Sequence, residues 1–176
     1  FNHDGIPDFL LTDARLPRGY KLYRGDAKGQ FADVGDALGF NPKHAFIGSW
    51  MDLDGDGWED LLLNTGQIFR NLKGEKFEEV TAQSNLMAVG NLRQTGPFTY
   101  HAVADFDGDG LQDLYVANDT TANFLWRNKG DGTFVDVAYD WGVALSSSGR
   151  TQAGMGVDGA DINGDGWLEI HVTNFS

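Results

Sequence analysis

Cysteine is absent from the 176 residues. Disulfide frameworks and thiolate-zinc sites are thereby excluded, and the redox compartment cannot be read from cysteine usage. Basic residues are scarce: 13 Lys and Arg stand against 26 Asp and Glu, a net charge of −13. Nucleic acid phosphates and anionic membrane surfaces would both repel such a chain. No run approaches the roughly 18 apolar residues of a membrane-spanning helix. No segment keeps a helical hydrophobic period over about ten residues. A signal peptide is missing too, but the chain opens inside a repeated motif, so its start reads as an excision. Against these absences stand 41% hydrophobic and 12% aromatic residues, enough for a core and an argument against disorder.

The acidic residues are concentrated. DLDGDGWED (52–60), DFDGDGLQD (105–113) and DINGDGWLE (161–169) are one nonapeptide repeated. FNHDGIPD (1–8) is the same motif without its first residue, with Asn2, Asp4 and Asp8 at positions 3, 5 and 9. The position-3 residues Asn2, Asp54, Asp107 and Asn163 are 52, 53 and 56 residues apart. Each copy runs into a short apolar stretch: DFLLT, DLLLN, DLYVA or EIHVT. An aromatic-Arg pair then follows in YRGDAKGQFADV (23–34), FRNLKGEKFEEV (69–80) and WRNKGDGTFVDV (126–137). HAFIGSWM, FTYHAVA and AGMGVDGA precede the full motifs.

Each unit is predicted to hold four short strands joined by Gly-, Asn- and Asp-rich turns. Units of about 53 residues built this way predict an all-β chain of β-propeller blades, each a four-stranded antiparallel meander. A β-solenoid fits less well, because its coils are shorter. A closed ring usually has at least four blades. The chain is therefore expected to be an excerpt of about three to three and a half blades, with units near 1–51, 52–104, 105–160 and a partial 161–176. The recurring aromatics Tyr23, Phe69, Trp126, Phe31, Phe77 and Phe134 are expected in the core.

The spacing Asp-x-Asp/Asn-x-Asp-Gly-x-x-Asp/Glu supplies oxygen ligands at positions 1, 3, 5 and 9, plus the position-7 backbone carbonyl. The glycine at position 6 permits the turn that wraps them round one ion. The candidate metal ligands are Asn2, Asp4, Ile6 and Asp8 in the first loop and Asp52, Asp54, Asp56, Trp58 and Asp60 in the second. Asp105, Asp107, Asp109, Leu111 and Asp113 form the third set, and Asp161, Asn163, Asp165, Trp167 and Glu169 the fourth. All-oxygen sets of this kind select Ca²⁺ over transition metals, while Mg²⁺ resists giving up its waters. An EF-hand shares positions 1 to 9 but closes with a Glu at position 12, which here is Leu63, Val116 or Val172.

Asp-Gly dipeptides also make plain hairpin turns, yet this motif accounts for 13 of the 26 acidic residues. Without a cation each full loop would crowd like charges together. Three divalent ions would take the net charge from −13 to −7. Three complete structural Ca²⁺ loops are expected, and one truncated at its start. Their affinities are expected in the range of extracellular modules, about 10⁻⁴–10⁻³ M, which implies a secreted or cell-surface setting. The fourth loop is expected to bind more weakly, with a neutral Asn163 and a longer Glu169.

These residues resemble the FG-GAP/VCBS repeat family. DLYVANDTTANFLWRNKGDGTFVDVA (113–138) and AGMGVDGADINGDGWLEIHVTNFS (153–176) are most similar to the group that includes cartilage acidic protein and the ASPIC/UnbV-containing proteins. The resemblance implies a propeller, often seven-bladed, with calcium in these hairpin loops and a role in extracellular recognition or adhesion. It implies no shared catalytic activity.

In an up-and-down meander the calcium hairpins lie at one face, so a protein or glycan partner is expected at the opposite face. Arg15, Arg18, Lys43, Arg93, Asp119, Trp141 and Arg150 are its candidate contacts. Alternatives are a carbohydrate-active enzyme such as a polysaccharide lyase, using Arg93, Tyr100 and His101, and a purely structural spacer. Arg24-Gly25-Asp26 spells an adhesion tripeptide but falls in the ordinary third-hairpin turn. His3, His44, His101 and His171 have no spacing suited to zinc.

Overall fold

The computed structural model describes residues 1–13, 16, 19–43, 47–86 and 100–175. The described residues hold thirteen strands and no helix. β1 (Phe9–Thr12), β2 (Tyr20–Gly25) and β3 (Phe31–Asp33) form a three-stranded sheet in chain order. β4 (Gly48–Met51), β5 (Asp60–Leu63), β6 (Ile68–Asn71) and β7 (Phe77–Glu79) form a four-stranded meander. β8 (Tyr100–Ala104), β9 (Asp113–Ala117), β10 (Phe124–Asn128) and β11 (Phe134–Asp136) form another, and β12 (Gly154–Ala160) pairs with β13 (Glu169–Asn174). Neighbours are antiparallel throughout, so the sheets are propeller blades. Each of the three full acidic motifs joins the first two strands of its sheet, so these sheets begin one strand before the motif, whereas the first motif leads straight into β1.

The chain divides into two compact units, Phe1–Asp52 with Asp56–Thr81, and Leu53–Gly55 with Ala82–Ser176. In the first unit Leu10, Tyr20 and Leu22 of one sheet meet Leu61, Leu63, Phe69 and Phe77 of the next, around Phe40. The Phe40 ring lies 5.1, 5.0 and 5.8 Å from those of Tyr20, Phe69 and Phe77. Gly48 lets the two sheets close up, since a Cβ there would sit 2.6 Å from Leu10 Cδ2. In the second unit Tyr115, Ala117 and Leu125 share a core with Val157, Leu168, Ile170 and Val172.

The register repeats from sheet to sheet: Phe9 pairs with Tyr23, Leu61 with Phe69 and Leu114 with Trp126. Phe69, Phe77, Trp126 and Phe134 are buried as expected. Tyr23 and Phe31 are not; Tyr23 is half-buried and Phe31 is 50% exposed. The first sheet turns its Leu10, Tyr20 and Leu22 face into the core of its unit. On its other face the Phe9 ring stacks on Tyr23 and meets Phe31 edge-on, with ring centroids 4.9 Å apart in both pairs.

Phe77 and Phe31 thus occupy one register position in two environments. Phe77→Ala should cost about 3–5 kcal/mol, as core aromatic truncations do. Phe31→Ala should cost under about 1 kcal/mol in this chain. Urea unfolding of the two variants measures the difference, and equal losses would contradict the assignment of faces.

Candidate metal centres

Each acidic loop is folded by its own carboxylates. The position-1 side chain gathers backbone N–H groups. Asp105 accepts from Gly108 at 2.7 Å and Gly110 at 3.0 Å. Asp161 accepts from Gly164 and Gly166 at 2.7 and 2.9 Å, and Asp52 from Asp56 and Gly57 at 3.1 and 2.9 Å. The position-5 carboxylate accepts from the position-7 N–H in all four copies. These bonds run from Ile6 to Asp4 at 2.8 Å, and from Trp58 to Asp56, Leu111 to Asp109 and Trp167 to Asp165 at 2.9 Å. Asp side chains that bond backbone two residues on replace a regular turn. The position-7 carbonyls are left out of these bonds.

Two residues per loop take the left-handed backbone, not only the position-6 glycine. In the third loop Gly108 and Gly110 have φ of 73° and 90°. The first loop places His3 at the corresponding position 4, with φ 55°.

Carboxylate oxygens of Asp52, Asp54 and Asp56 lie within 4.8 Å of one another, as do those of Asp105, Asp107 and Asp109. Position 9 stands deeper, and Asp60 and Asp113 are fully buried. Asp113 accepts the N–H of Phe106 at 3.0 Å and of Asn128 at 2.8 Å. Asp60 accepts from Asn71 N–H at 2.6 Å, and Asp8 from Gly25 N–H at 3.0 Å. Position 9 therefore ties the second and third loops to the third strand of their sheets, and the first loop to β2. In the fourth loop Glu169 reaches back instead, accepting the Ile162 N–H at 2.8 Å. The Asn163 amide donates to Asp165 at 3.0 Å and to Glu169 at 2.9 Å. The first loop does likewise, with Asn2 donating to Asp4 at 2.8 Å.

The donor set fits a hard cation: every candidate group is a carboxylate, amide or backbone oxygen, with no sulfur or imidazole nitrogen. A carboxylate holding one N–H bond per oxygen still has acceptor capacity, so the buried position-9 groups remain competent ligands.

The FG-GAP-like repeat family matches residues 1–63, 52–116 and 105–172, each span running from one acidic loop through the strand after the next. The chain belongs to that family. Cartilage acidic protein 1 of Xenopus tropicalis is 40% identical over 75 residues, 43% of this chain and 11% of that protein. The human protein of the same name is 42% identical over 64 residues, 36% of this chain and 9% of its own length. The chain thus spans about a tenth of these relatives. Among solved structures, an Agrocybe aegerita lectin that recognises non-reducing terminal N-acetylglucosamine superposes with a TM-score of 0.50 at 19% identity. That match covers 87% of this chain and 40% of the lectin, and it carries the fold alone.

At the other hairpins of these FG-GAP repeats, the predicted contact residues scatter. Arg15, Arg18 and Arg93 lie outside the described residues, as does His44. Lys43, Asp119, Trp141 and Arg150 are exposed. The second unit braces this end: the Asn118 amide donates to Ala122 O at 2.6 Å, and Asn123 donates to the Tyr115 hydroxyl at 2.8 Å. That hydroxyl donates to Val143 O at 3.0 Å. Exposed Tyr139 joins Trp141 on the same connection, a residue that motif reading passed over. Tyr100 and His101 lie in β8, half-buried, with Tyr100 against the second core. Arg24 and buried Gly25 end β2, and exposed Asp26 opens the turn to β3, accepting the N–H groups of Lys28 and Gln30 at 2.8 and 2.9 Å.

Like charges and burial leave their mark on the third FG-GAP loop. Burial lifts the Asp107 carboxyl, helped by the neighbouring Asp109 and Asp105 charges and opposed by the Asp109 N–H and by Arg127. Burial lifts Asp113 from the ordinary 3.8 to about 6, against the N–H bonds from Asn128 and Phe106 and with the Asp107 and Asp109 charges adding. A carboxyl that binds its proton more tightly when folded stabilises the fold most at low pH. Its contribution falls as pH rises from about 4 to 6 and is flat above. In EDTA, the wild-type melting midpoint should therefore lose ground over that window, and Asp113→Asn should remove part of the slope. Identical slopes in the two proteins would contradict the assignment.

Proposed function

We propose that this chain is a calcium-stabilised, extracellular β-propeller module that binds a protein or glycan and is not a catalyst. The observation that carries the reading is the repetition of one all-oxygen donor set in register. Asp52, Asp54, Asp56 and Asp60 with the Trp58 carbonyl would hold one ion. Asp105, Asp107, Asp109 and Asp113 with the Leu111 carbonyl would hold a second. Asp161, Asn163, Asp165 and Glu169 with the Trp167 carbonyl would hold a third, more weakly, because Asn163 is engaged as a donor. Asn2, Asp4, Asp8 and the Ile6 carbonyl form the truncated set. Bound Ca²⁺ would supply the positive charge that lets these carboxylates stay ionised side by side.

The extracellular setting draws support from the name of the cartilage relatives and from the affinity range of oxygen-ligand extracellular modules. Partner binding is assigned to the hairpins away from the acidic loops, where Tyr139 and Trp141 offer exposed amphipathic rings of the kind enriched at interfaces.

At tenfold excess over Kd each occupied site adds about 1.4 kcal/mol. Three sites should raise the melting midpoint by on the order of 10 °C in a chain of this size. A melt in millimolar Ca²⁺ against millimolar EDTA measures this, and superimposable curves would overturn the calcium reading. For the partner, a glycan array and a pull-down from extracellular matrix extract are compared for the wild type and Trp141→Ala. Binding that the variant loses at least tenfold is expected, whereas binding indifferent to Trp141 would move the contact face elsewhere.

A further inference from the structure

The third and fourth acidic loops lie in one compact unit, and they close in different ways. The third loop carries four carboxylates, Asp105, Asp107, Asp109 and Asp113. Asp107, at position 3, pairs with Arg127, whose Nη1 lies 3.8 Å from its Oδ2. In the fourth loop position 3 is Asn163. Its side-chain oxygen accepts the Asp165 N–H at 2.8 Å, as Asp107 accepts the Asp109 N–H at 3.2 Å. The Asn163 amide nitrogen thus stands where Asp107 has its second oxygen. It donates to Asp165 at 3.0 Å and to Glu169 at 2.9 Å, bridging two carboxylates. Asp161 holds the N–H groups of Gly164, Asp165 and Gly166 at 2.7, 3.1 and 2.9 Å, and Glu169 that of Ile162 at 2.8 Å. Every carboxylate of the fourth loop is therefore held by donors of the same loop, with one negative charge fewer to repel.

The fourth loop also touches the third. Trp167, its position-7 residue, is 58% exposed, yet one edge of the indole lies on Gly108. A Cβ at Gly108 would sit 3.0 Å from Trp167 Cζ3 and 3.2 Å from Cη2. Gly108 is the left-handed residue, φ 73°, between the candidate ligands Asp107 and Asp109, and its N–H bonds Asp105 at 2.7 Å. The indole is positioned by its own loop. The Trp167 N–H bonds Asp165 at 2.9 Å, and the next residue, Leu168, packs against the core of this unit. Phe106, position 2 of the third loop, belongs to that core too. Its ring lies 3.1 Å from where a Gly159 Cβ would be, on β12 just before the fourth loop.

Resting on the calcium reading, we propose that the fourth loop is a buttress, holding its shape without an ion and preorganising the third loop for calcium. Trp167 is the positioning residue, and Asn163 is the clasp that keeps its loop closed. The Asn163 amide supplies within the fourth loop the positive edge that a cation supplies to the third. Calcium entering the fourth loop has to displace that amide from Asp165 and Glu169, in line with its weaker binding. The third loop has a carboxylate at the same position and needs the cation. The seated indole restricts the Gly108 turn before the ion arrives. Less order then has to be imposed on binding, and affinity rises.

Amide exchange in EDTA and calcium titrations followed by amide ¹⁵N shifts test this. The Gly110 N–H bonds Asp105 and reports the third loop, and the Gly166 N–H bonds Asp161 and reports the fourth. In EDTA the protection factor at Gly166 should exceed that at Gly110 at least tenfold, and Asn163→Ala should abolish the difference. Trp167→Ala and Asn163→Ala change no charge and no third-loop ligand, and both side chains are exposed, so the variants should fold. Each should raise the calcium midpoint at Gly110 at least threefold. Trp167→Phe, which keeps a ring over Gly108, should stay within twofold of the wild type. A Gly110 midpoint within twofold of the wild type in Trp167→Ala or Asn163→Ala overturns the buttress and leaves calcium binding intact. So does equal protection at Gly110 and Gly166 in EDTA, or a Trp167→Phe shift as large as that of Trp167→Ala. No calcium-dependent shift at wild-type Gly110 overturns the calcium reading and the buttress with it.

Discussion

The bond on which the blades depend joins a buried carboxylate to the backbone of another strand. Asp60 and Asp113 sit at full burial where an acidic loop becomes a central strand, and each accepts the N–H of the last residue of the next strand. A buried charge is costly unless hydrogen-bonded, and here the bonding partners are main-chain groups that also need satisfying. One side chain thus fixes where the acidic loop ends, where the third strand ends, and how the two are registered. The burial that raises Asp113 to about 6 is the cost of that placement.

Around this anchor, the rest of each loop is self-sufficient in shape but not in charge. Position-1 and position-5 carboxylates fold the loop by accepting its own N–H groups. The result brings three carboxylates within 4.8 Å in the second and third loops. A geometry stabilised by hydrogen bonds and opposed by repulsion is one in which an added cation changes the balance most. Within the first unit the loops also support one another: the Asn71 amide bonds Phe1 O and Glu59 O of successive loops, and Trp58 stacks on His3. The two blades of that unit are therefore joined twice, by apolar faces in the sheets and by a polar seam at the acidic loops.

Much of this was legible in the sequence because it repeats. The period of about 53 residues, the loop-to-strand transition at position 9 and the burial of Phe69, Phe77, Trp126 and Phe134 follow from register alone. Register also misleads where context differs between copies. Tyr23 and Phe31 match buried aromatics in sequence, but burial belongs to the face a sheet turns to its neighbour, which no single repeat encodes. The Asn71 latch was visible as the Asn of FRN, yet one of its two partners, Phe1 O, lies in the preceding copy, and Gly25 stands in its place in the first. A Cβ at Gly25 would meet Pro7 O at 2.5 Å, so there the backbone packs directly where the amide bridges elsewhere. The left-handed position 4 went unnoticed because His3 occupies it in one copy of four.

The central claim is that the acidic loops are calcium clasps closed by the position-9 carboxylate. Anomalous scattering from a crystal grown with calcium tests it most directly. The account predicts one ion in each of the second and third loops, about 2.3–2.6 Å from their carboxylate oxygens and position-7 carbonyl. Asp60 and Asp113 should contact those ions while still holding the Asn71 and Asn128 N–H groups. Loops without an anomalous peak, or ions bound with Asp60 and Asp113 left out, would contradict it.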